Sequence, residues 1–143
     1  MKQVAVINGP NLNMIGKREP ELYGSTTLAD VEKMIQTHAD RLGIGVSFFQ
    51  SNSEGDLVTR IQQCLNTADG IIINPGAYGH YAYSLYDALL GVGLPCIEVH
   101  ISNTHKREPF RHHSVLVDAC VGQICGMGID GYRMALEKMK DML

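Results

Sequence analysis

An arginine and a tyrosine near the start of this chain form a pair that can perform acid–base chemistry. Arg18 lies five residues before Tyr23, in a polar stretch that follows the apolar run 4–7. A guanidinium near a phenol stabilises the phenolate, so a tyrosine with an ordinary pKa of about 10 can become a general base. The alternative is a surface arginine stacked on a surface tyrosine. The connection 8–23 is long for a compact domain and predicts a lid or binding loop, which favours the catalytic interpretation.

A histidine that closely follows a glutamate provides a candidate general acid. His100 comes directly after the apolar run 96–99, in which Glu98 is the only charged residue. A histidine titrates near neutral pH, and a neighbouring carboxylate tunes its charge. A histidine that only binds ligand in a cleft is the alternative.

Two arginines and two backbone amides predict an anion site. Arg107 and Arg111 stand four residues apart in a polar segment and can form a basic wall for a carboxylate. Alternatively they are solvated charges or interface partners of Glu108. The amides of Ile101 and Ser102, at the end of the run 96–99, can also receive an anion.

Apolar runs that alternate with amphipathic segments predict the framework that positions these residues. Runs that are apolar throughout and separated by helices imply a parallel sheet covered on both faces. We predict one α/β domain over residues 1–143, with a flavodoxin-like doubly wound sheet of five parallel strands in the order 2-1-3-4-5. The predicted strands are 4–7, 46–49, 71–73, 96–99 and about 115–124, and the helices are 27–42, about 57–65, about 80–92 and about 130–143.

That architecture gathers three polar clusters into one cleft. Ligands of such sheets bind beyond the carboxyl ends of the strands, near the switch point between strands 1 and 3. The clusters 8–23, 74–80 and 100–111 all follow predicted strands. We therefore expect one site, built from all three.

Composition excludes several classes of function. A net charge of −3, a pI near 6.0 and only 12 lysines and arginines give no basic footprint for nucleic acid. The sequence contains no apolar run of membrane-span length, and we expect no signal peptide. Its four cysteines form no C-x-x-C pair. We therefore expect a cytoplasmic protein with reduced cysteines that binds neither nucleic acid nor a membrane.

Two motifs that suggest a cofactor or a metal fail on context. Residues 126–131 match G-x-G-x-x-G, but the dinucleotide fingerprint needs a further strand and an acidic residue about twenty positions on, and the sequence ends at Leu143. Tight packing of the last helix is the better explanation. The histidines at 100, 105, 112 and 113 do not provide an i, i+4 pair on a helix with a third ligand. We expect no metal and no cofactor.

Other modules with this fold are also disfavoured. A phospho-receiver domain needs acidic residues after strands 1 and 3, where this chain has Asn8 and Asn74. A flavin domain needs a phosphate loop rich in glycine and hydroxyl groups, where Pro10, Asn11 and Leu12 stand. A non-catalytic ligand-binding module on the same fold remains the alternative to an enzyme.

Five collinear strings resemble type II 3-dehydroquinate dehydratase. They are INGPNLNMIGKREPELYG, QSNSEG, IINPGAYGH, EVHISN and REPFRHHS, and the match runs from Val4 to Tyr132. The resemblance implies a flavodoxin-like fold and the reversible dehydration of 3-dehydroquinate to 3-dehydroshikimate without cofactor or metal. The pathway would be shikimate biosynthesis, or quinate breakdown by the same reaction.

The resemblance also implies roles for individual residues. Tyr23 matches the catalytic base, Arg18 the lid residue that keeps it ionised, and His100 the acid at the departing hydroxyl. Glu98 matches the residue that orients this histidine. Asn11 matches the residue that stabilises the enolate together with an ordered water. Substrate contacts fall on Asn74, Gly76, His80, Ile101, Ser102, Arg107 and Arg111.

Assembly is part of the same expectation. The predicted helix 80–92 carries Asp87 among Tyr83, Tyr86 and Leu90, and such an apolar, aromatic face is more often an interface than a solvent face. Asp87 matches a residue donated across a subunit boundary, because the family forms trimers assembled into dodecamers. Relatives commonly read T-H-x-S and R-D-A in this region. The chain departs from that pattern at Gly79, Ala82 and Tyr86, which bears on trimer contacts and substrate affinity.

Overall fold

A five-stranded parallel sheet forms the centre of the computed structural model, which describes residues 1–17, 21 and 24–143. The strand order is β2-β1-β3-β4-β5, so the predicted order 2-1-3-4-5 is confirmed. The strands are β1 (Gln3–Asn8), β2 (Gly45–Gln50), β3 (Gly70–Asn74), β4 (Cys96–His100) and β5 (Gly122–Cys125). The α-helices whose bounds the structure describes are α1 (Leu28–Leu42), α2 (Glu54–Gln63), α3 (Tyr83–Val92) and α4 (Asp130–Met142).

Both faces of the sheet are buried, as apolar strands require. In β1, Val4 and Val6 point to the face covered by α1 and α4, whereas Ala5 and Ile7 point to the face covered by α2 and α3. Successive side chains of a strand alternate between faces, so one strand contributes to both cores. The carboxyl ends of the strands consequently form a rigid edge for a site.

Local signals set the first helix. Thr27 and Asp30 form a reciprocal capping box, with Asp30 N donating to Thr27 Oγ1 and Thr27 N donating to Asp30 Oδ2. Gly43, with φ of 72°, ends the helix in the left-handed conformation that glycine adopts at low cost.

Three predicted elements had wrong boundaries. The helix that carries Asp87 begins at Tyr83, because Gly76–His80 forms a separate 3₁₀ helix. The predicted helix 57–65 spans Glu54–Gln63, because Ser53 caps it by accepting a hydrogen bond from Asp56 N. The predicted strand 115–124 is only Gly122–Cys125.

The predicted fifth strand is too long because its apolar residues were taken as evidence of an extended backbone. Val115 and Leu116 are buried, but they lie in a loop, and Val115 N donates to the carbonyl of Gly79. A 3₁₀ helix, Val117–Ala119, precedes β5. Apolar side chains report burial, and a short apolar run alone does not specify the backbone conformation.

The glycine-rich segment before α4 has a packing role. A Cβ at Gly131 would lie 3.2 Å from Val99 Cγ1 and 3.5 Å from Ile124 Cγ2, so the helix starts close to the sheet. In the part of the chain that the structure describes, no helix is both long and apolar enough to span a bilayer.

Candidate active site

A cavity of about 140 Å³ opens at the carboxyl ends of β1, β3 and β4. The described residues of all three predicted polar clusters contribute to it. The predicted site residues that line it are Asn11, Asn74, Gly76, His80, His100, Ile101, Ser102, Arg107 and Arg111. The convergence therefore follows from the fold, because parallel strands present their carboxyl ends at one edge.

Glu98 and His100 form a buried acid–base pair, of which His100 lines this cavity whereas Glu98 is fully buried and does not. Both side chains leave β4 on the same face, two residues apart, and Glu98 Oε2 lies 2.5 Å from His100 Nε2. Glu98 also accepts hydrogen bonds from Ser114 Oγ (2.8 Å, to Oε1) and Gln123 Nε2 (3.0 Å, to Oε2). Three donors thus hold one carboxylate, which fixes the imidazole plane.

The charge of Glu98 follows from these contacts. Burial raises the pKa of the Glu98 carboxyl, but the hydrogen bonds from His100, Ser114 and Gln123 and the charge on His100 outweigh it, so that pKa lies below its ordinary value of 4.5. An ionised Glu98 accepts the proton on Nε2 of His100. Nδ1 is then the nitrogen that can deliver a proton to a ligand.

The pKa of Glu98 gives a prediction for acid stability. A carboxyl whose pKa is lower in the folded state stabilises the fold above its unfolded pKa, and that stabilisation is lost as pH falls through the folded pKa. We expect Glu98→Gln to flatten the decline of the melting temperature between about pH 5 and pH 3, relative to wild type, because the carboxyl that titrates there is gone. Glu137→Gln removes the same formal charge at an exposed position and should leave the steep decline in place; equal slopes in wild type and Glu98→Gln would contradict the prediction.

His80 faces the same cavity as a neutral ring. Its Nδ1 donates to the carbonyl of His113 at 2.8 Å, because a carbonyl can only accept. Burial lowers the pKa of His80, the hydrogen bond to His113 opposes this, and the neighbouring charges of His100 and Arg111 lower it further. Nε2 is therefore an acceptor, suited to a ligand hydroxyl.

The two predicted arginines both line the cavity, and Arg111 also pairs with Glu108 of its own chain. Arg107 Nη1 donates to Ser102 Oγ at 3.3 Å, and Arg111 Nε lies 3.3 Å from both carboxylate oxygens of Glu108. The Arg111 guanidinium also lies 4.6 Å from the centroid of Phe110. Both arginines line the cavity, so they give its outer wall positive charge.

Asn11 is held in an unusual backbone conformation. Its φ is 70°, in the left-handed region that is costly for residues other than glycine and is often found at functional sites. Its N–H donates to Asn52 Oδ1 at 2.9 Å, and Gln50 Nε2 donates to the same oxygen at 3.2 Å. The loop after β2 therefore positions the loop after β1.

Some predicted residues are not brought to this cavity. Asp87 is exposed on α3 and lines a shallow depression between α2 and α3 with Val58 and Leu65. Arg18 and Tyr23 lie outside the described residues.

Other residues at the site were missed by the sequence analysis. Ser114 and Gln123 contact Glu98 from distant parts of the chain. Asn8 and Tyr132 form a buried network with Asn74. The sequence gives no local signal for these pairings. The one available signal is the position of Asn8, a polar residue at the end of an apolar strand. Among the described residues, no group of three or more histidine, cysteine, aspartate or glutamate side chains is placed to hold a metal.

Comparison with known proteins resolves the family. The family model described as "Dehydroquinase class II" matches residues 2–140. The chain belongs to the dehydroquinase class II family. The resemblance inferred from the five strings is thereby confirmed, as is the assignment to an enzyme family.

Relatives of this family resemble the chain over nearly its whole length. "Catabolic 3-dehydroquinase 1" of Aspergillus terreus is 57% identical over 136 residues, covering 95% of this chain and 90% of the relative. "3-dehydroquinate dehydratase" of Bacillus pumilus is 52% identical, covering 95% and 92%. The crystal structure of a type II dehydroquinase from Propionibacterium acnes has a TM-score of 0.95 and 42% identity, covering 99% of this chain and 97% of that one. The flavodoxin-like fold is therefore confirmed.

Proposed function

We propose that this protein is a single catalytic domain that dehydrates 3-dehydroquinate reversibly to 3-dehydroshikimate without metal or cofactor. The observation that carries the proposal is the buried Glu98–His100 pair, which faces a cavity with a cationic wall in a chain of this family. The reaction removes a proton from the carbon beside the ketone and expels a hydroxyl as water. It therefore needs a base, a stabiliser for the enolate and an acid.

His100 is the acid in this proposal. An imidazolium that donates Nε2–H to an ionised Glu98 transfers its Nδ1 proton to the departing hydroxyl. Glu98 stabilises the imidazolium. The hydrogen bonds from Ser114 and Gln123 hold the Glu98 carboxylate within hydrogen-bond distance of His100. The acid half of the reaction thus rests on a rigid strand.

Tyr23 is the base in this proposal, and Arg18 is the residue that activates it. The proton beside a ketone is weakly acidic, so the base must be strong, and a phenolate is a much stronger base than a neutral phenol. The guanidinium of Arg18 stabilises that phenolate. Asn11, with an ordered water, stabilises the enolate oxygen in this proposal.

The polar lining suits a polyhydroxylated carboxylate. We assign the backbone amides of Ile101 and Ser102 and the side chain of Arg107 to the substrate carboxylate. Hydroxyls of the substrate are assigned to Asn74, Gly76, His80 and Arg111. The neutral Nε2 of His80 is the acceptor within this set.

The pathway that we propose is shikimate biosynthesis, in the cytoplasm. Quinate catabolism is the second candidate, because the Aspergillus terreus relative is named a catabolic 3-dehydroquinase. Both pathways use the same reaction. Expression of the native gene without quinate, with aromatic auxotrophy when that gene is deleted, supports biosynthesis; expression only when quinate is present, with loss of growth on quinate when the gene is deleted, supports catabolism.

We also propose trimers assembled into a dodecamer. The α3 region carries exposed apolar side chains, with Tyr81, Tyr83 and Leu90 at 57%, 68% and 53% exposure. Asp87 lies on this exposed side of the helix, from which it would reach a neighbouring subunit's substrate. Light scattering coupled to size exclusion tests the assembly, and a monomer at assay concentration would remove this part of the proposal.

Absorbance on mixing the protein with 3-dehydroquinate tests the activity itself. The conjugated enone of 3-dehydroshikimate absorbs in the ultraviolet, so turnover gives a rising signal. We expect the same rate with and without a chelator. A flat trace from folded protein would instead indicate a non-catalytic ligand-binding module.

A further inference from the structure

A fully buried tyrosine joins the ends of the two strands at the centre of the sheet. Tyr132, in the first turn of α4, has 0% exposure, and its hydroxyl lies 2.9 Å from Asn74 Nδ2 and 2.6 Å from Asn8 Oδ1. Asn8 and Asn74 are 1% and 4% exposed, and they are the last residues of β1 and β3. Asn74 lines the cavity. The phenol of Tyr132 therefore links Asn74, which lines the cavity, to the buried Asn8.

The hydrogen bonds of this network have a fixed direction. Gly76 N donates to Asn74 Oδ1 at 3.2 Å, so the carboxamide oxygen faces the backbone and Nδ2 faces the phenol. The Tyr132 oxygen then accepts from Nδ2 and must use its own proton to donate to Asn8 Oδ1. Flipping the Asn74 carboxamide would place Nδ2 against the donor Gly76 N, and Oδ1 against a phenol oxygen whose proton is donated to Asn8.

We propose that Tyr132 is a positioning residue for Asn74. Its hydroxyl holds one N–H of Asn74 Nδ2 and so leaves the second N–H in a set direction, toward a substrate hydroxyl. The proposal rests on the proposed function for its substrate, but the positioning of the Asn74 carboxamide stands without it. Because the network is buried, no solvent replaces the phenol oxygen when it is removed.

Tyr132→Phe removes only the hydroxyl and is the direct test. In wild type we expect the side-chain amide of Asn74 to give two sharp, well-separated NMR resonances with slow hydrogen exchange. In Tyr132→Phe these resonances should broaden or move toward free-amide values. Unchanged Asn74 resonances would overturn the proposal, whether or not the protein turns over 3-dehydroquinate.

Kinetics distinguish positioning from general support of the fold. We expect Tyr132→Phe to lower kcat/KM about 10-fold, mainly through a higher KM, because one well-placed hydrogen bond is lost. The pH profile of kcat should stay unchanged, because Glu98 and His100 are not in this network. In an Asn74→Ala background, Tyr132→Phe should change kcat/KM by less than about 2-fold, since residues that act through one another are not additive.

Matched variants complete the test. Leu136→Val, on the same helix and fully buried, is the core control: it should lower the melting temperature while kcat/KM stays at the wild-type value. Should Tyr132→Phe fail to fold, Asn8→Ala removes the acceptor of the phenol proton and should shift the Asn74 resonances in the same way. Additive losses from Tyr132→Phe and Asn74→Ala would refute the proposal, whereas an inactive wild type with shifted Asn74 resonances would refute only the proposed function.

Discussion

Replacing His100 by alanine should lower kcat about 10²- to 10⁴-fold, the usual contribution of a positioned general acid. The leaving hydroxyl would then depart without a proton from Nδ1. The fold should survive, because Glu98 keeps the hydrogen bonds from Ser114 and Gln123 when the imidazole is removed. We expect a stability loss of about 1–3 kcal/mol from the partly unsatisfied carboxylate.

The chain offers a matched control for this variant. His38 also pairs with a glutamate, at 3.0 Å from Glu137, but on the outer side of α1 and α4, away from the cavity. His38→Ala should leave kcat within about 2-fold of wild type. If His100→Ala turned over 3-dehydroquinate at nearly the wild-type rate, His100 would be a binding residue and not the acid.

The success of the fold prediction has a simple physical origin. Strands such as β1 and β3 are buried on both faces, so their sequences are apolar throughout and easily distinguished from amphipathic helices. Parallel pairing then restricts the connections to a few topologies. Polar residues at the strand ends could therefore be placed at one edge before any contact was known.

The hydrogen-bonded support of the site could not be predicted in the same way. Glu98 and His100 are two residues apart on one strand, so their common face follows from the sequence. Gln123 reaches Glu98 only because these residues are opposite each other in the β4–β5 register, and Ser114 reaches it from a loop. Such pairings depend on tertiary register, which residue spacing does not contain.

Tyr132 illustrates the same limit more sharply. Its position on the buried side of α4 is typical of a core aromatic residue, and its packing agrees with that. Its hydroxyl meets residues 58 and 124 positions away in the chain. A buried tyrosine usually finds a hydrogen-bond partner, but the sequence does not say which one.

Tyr23→Phe should abolish measurable turnover, a loss of about 10³-fold or more in kcat, because phenylalanine has no ionisable oxygen to accept the substrate proton. Tyr23 lies outside the described residues, so this prediction rests on the chemistry of the reaction and on the family. Fold and assembly should be unaffected. Tyr83→Phe is the matched control: it lies on α3 away from the cavity, it keeps the aromatic ring that would face a neighbouring subunit, and it should retain wild-type kcat.

Arg18→Ala separates the base from the residue that activates it. Without the guanidinium, Tyr23 should return toward the ordinary phenol pKa of about 10, so the phenolate fraction, and with it kcat at neutral pH, should fall. Added guanidinium ion should restore part of the activity of Arg18→Ala but none of that of Tyr23→Phe, which has nothing to ionise. Such rescue of Arg18→Ala alone would establish that the phenolate is the base; wild-type-like turnover by Tyr23→Phe would mean that another group removes the proton.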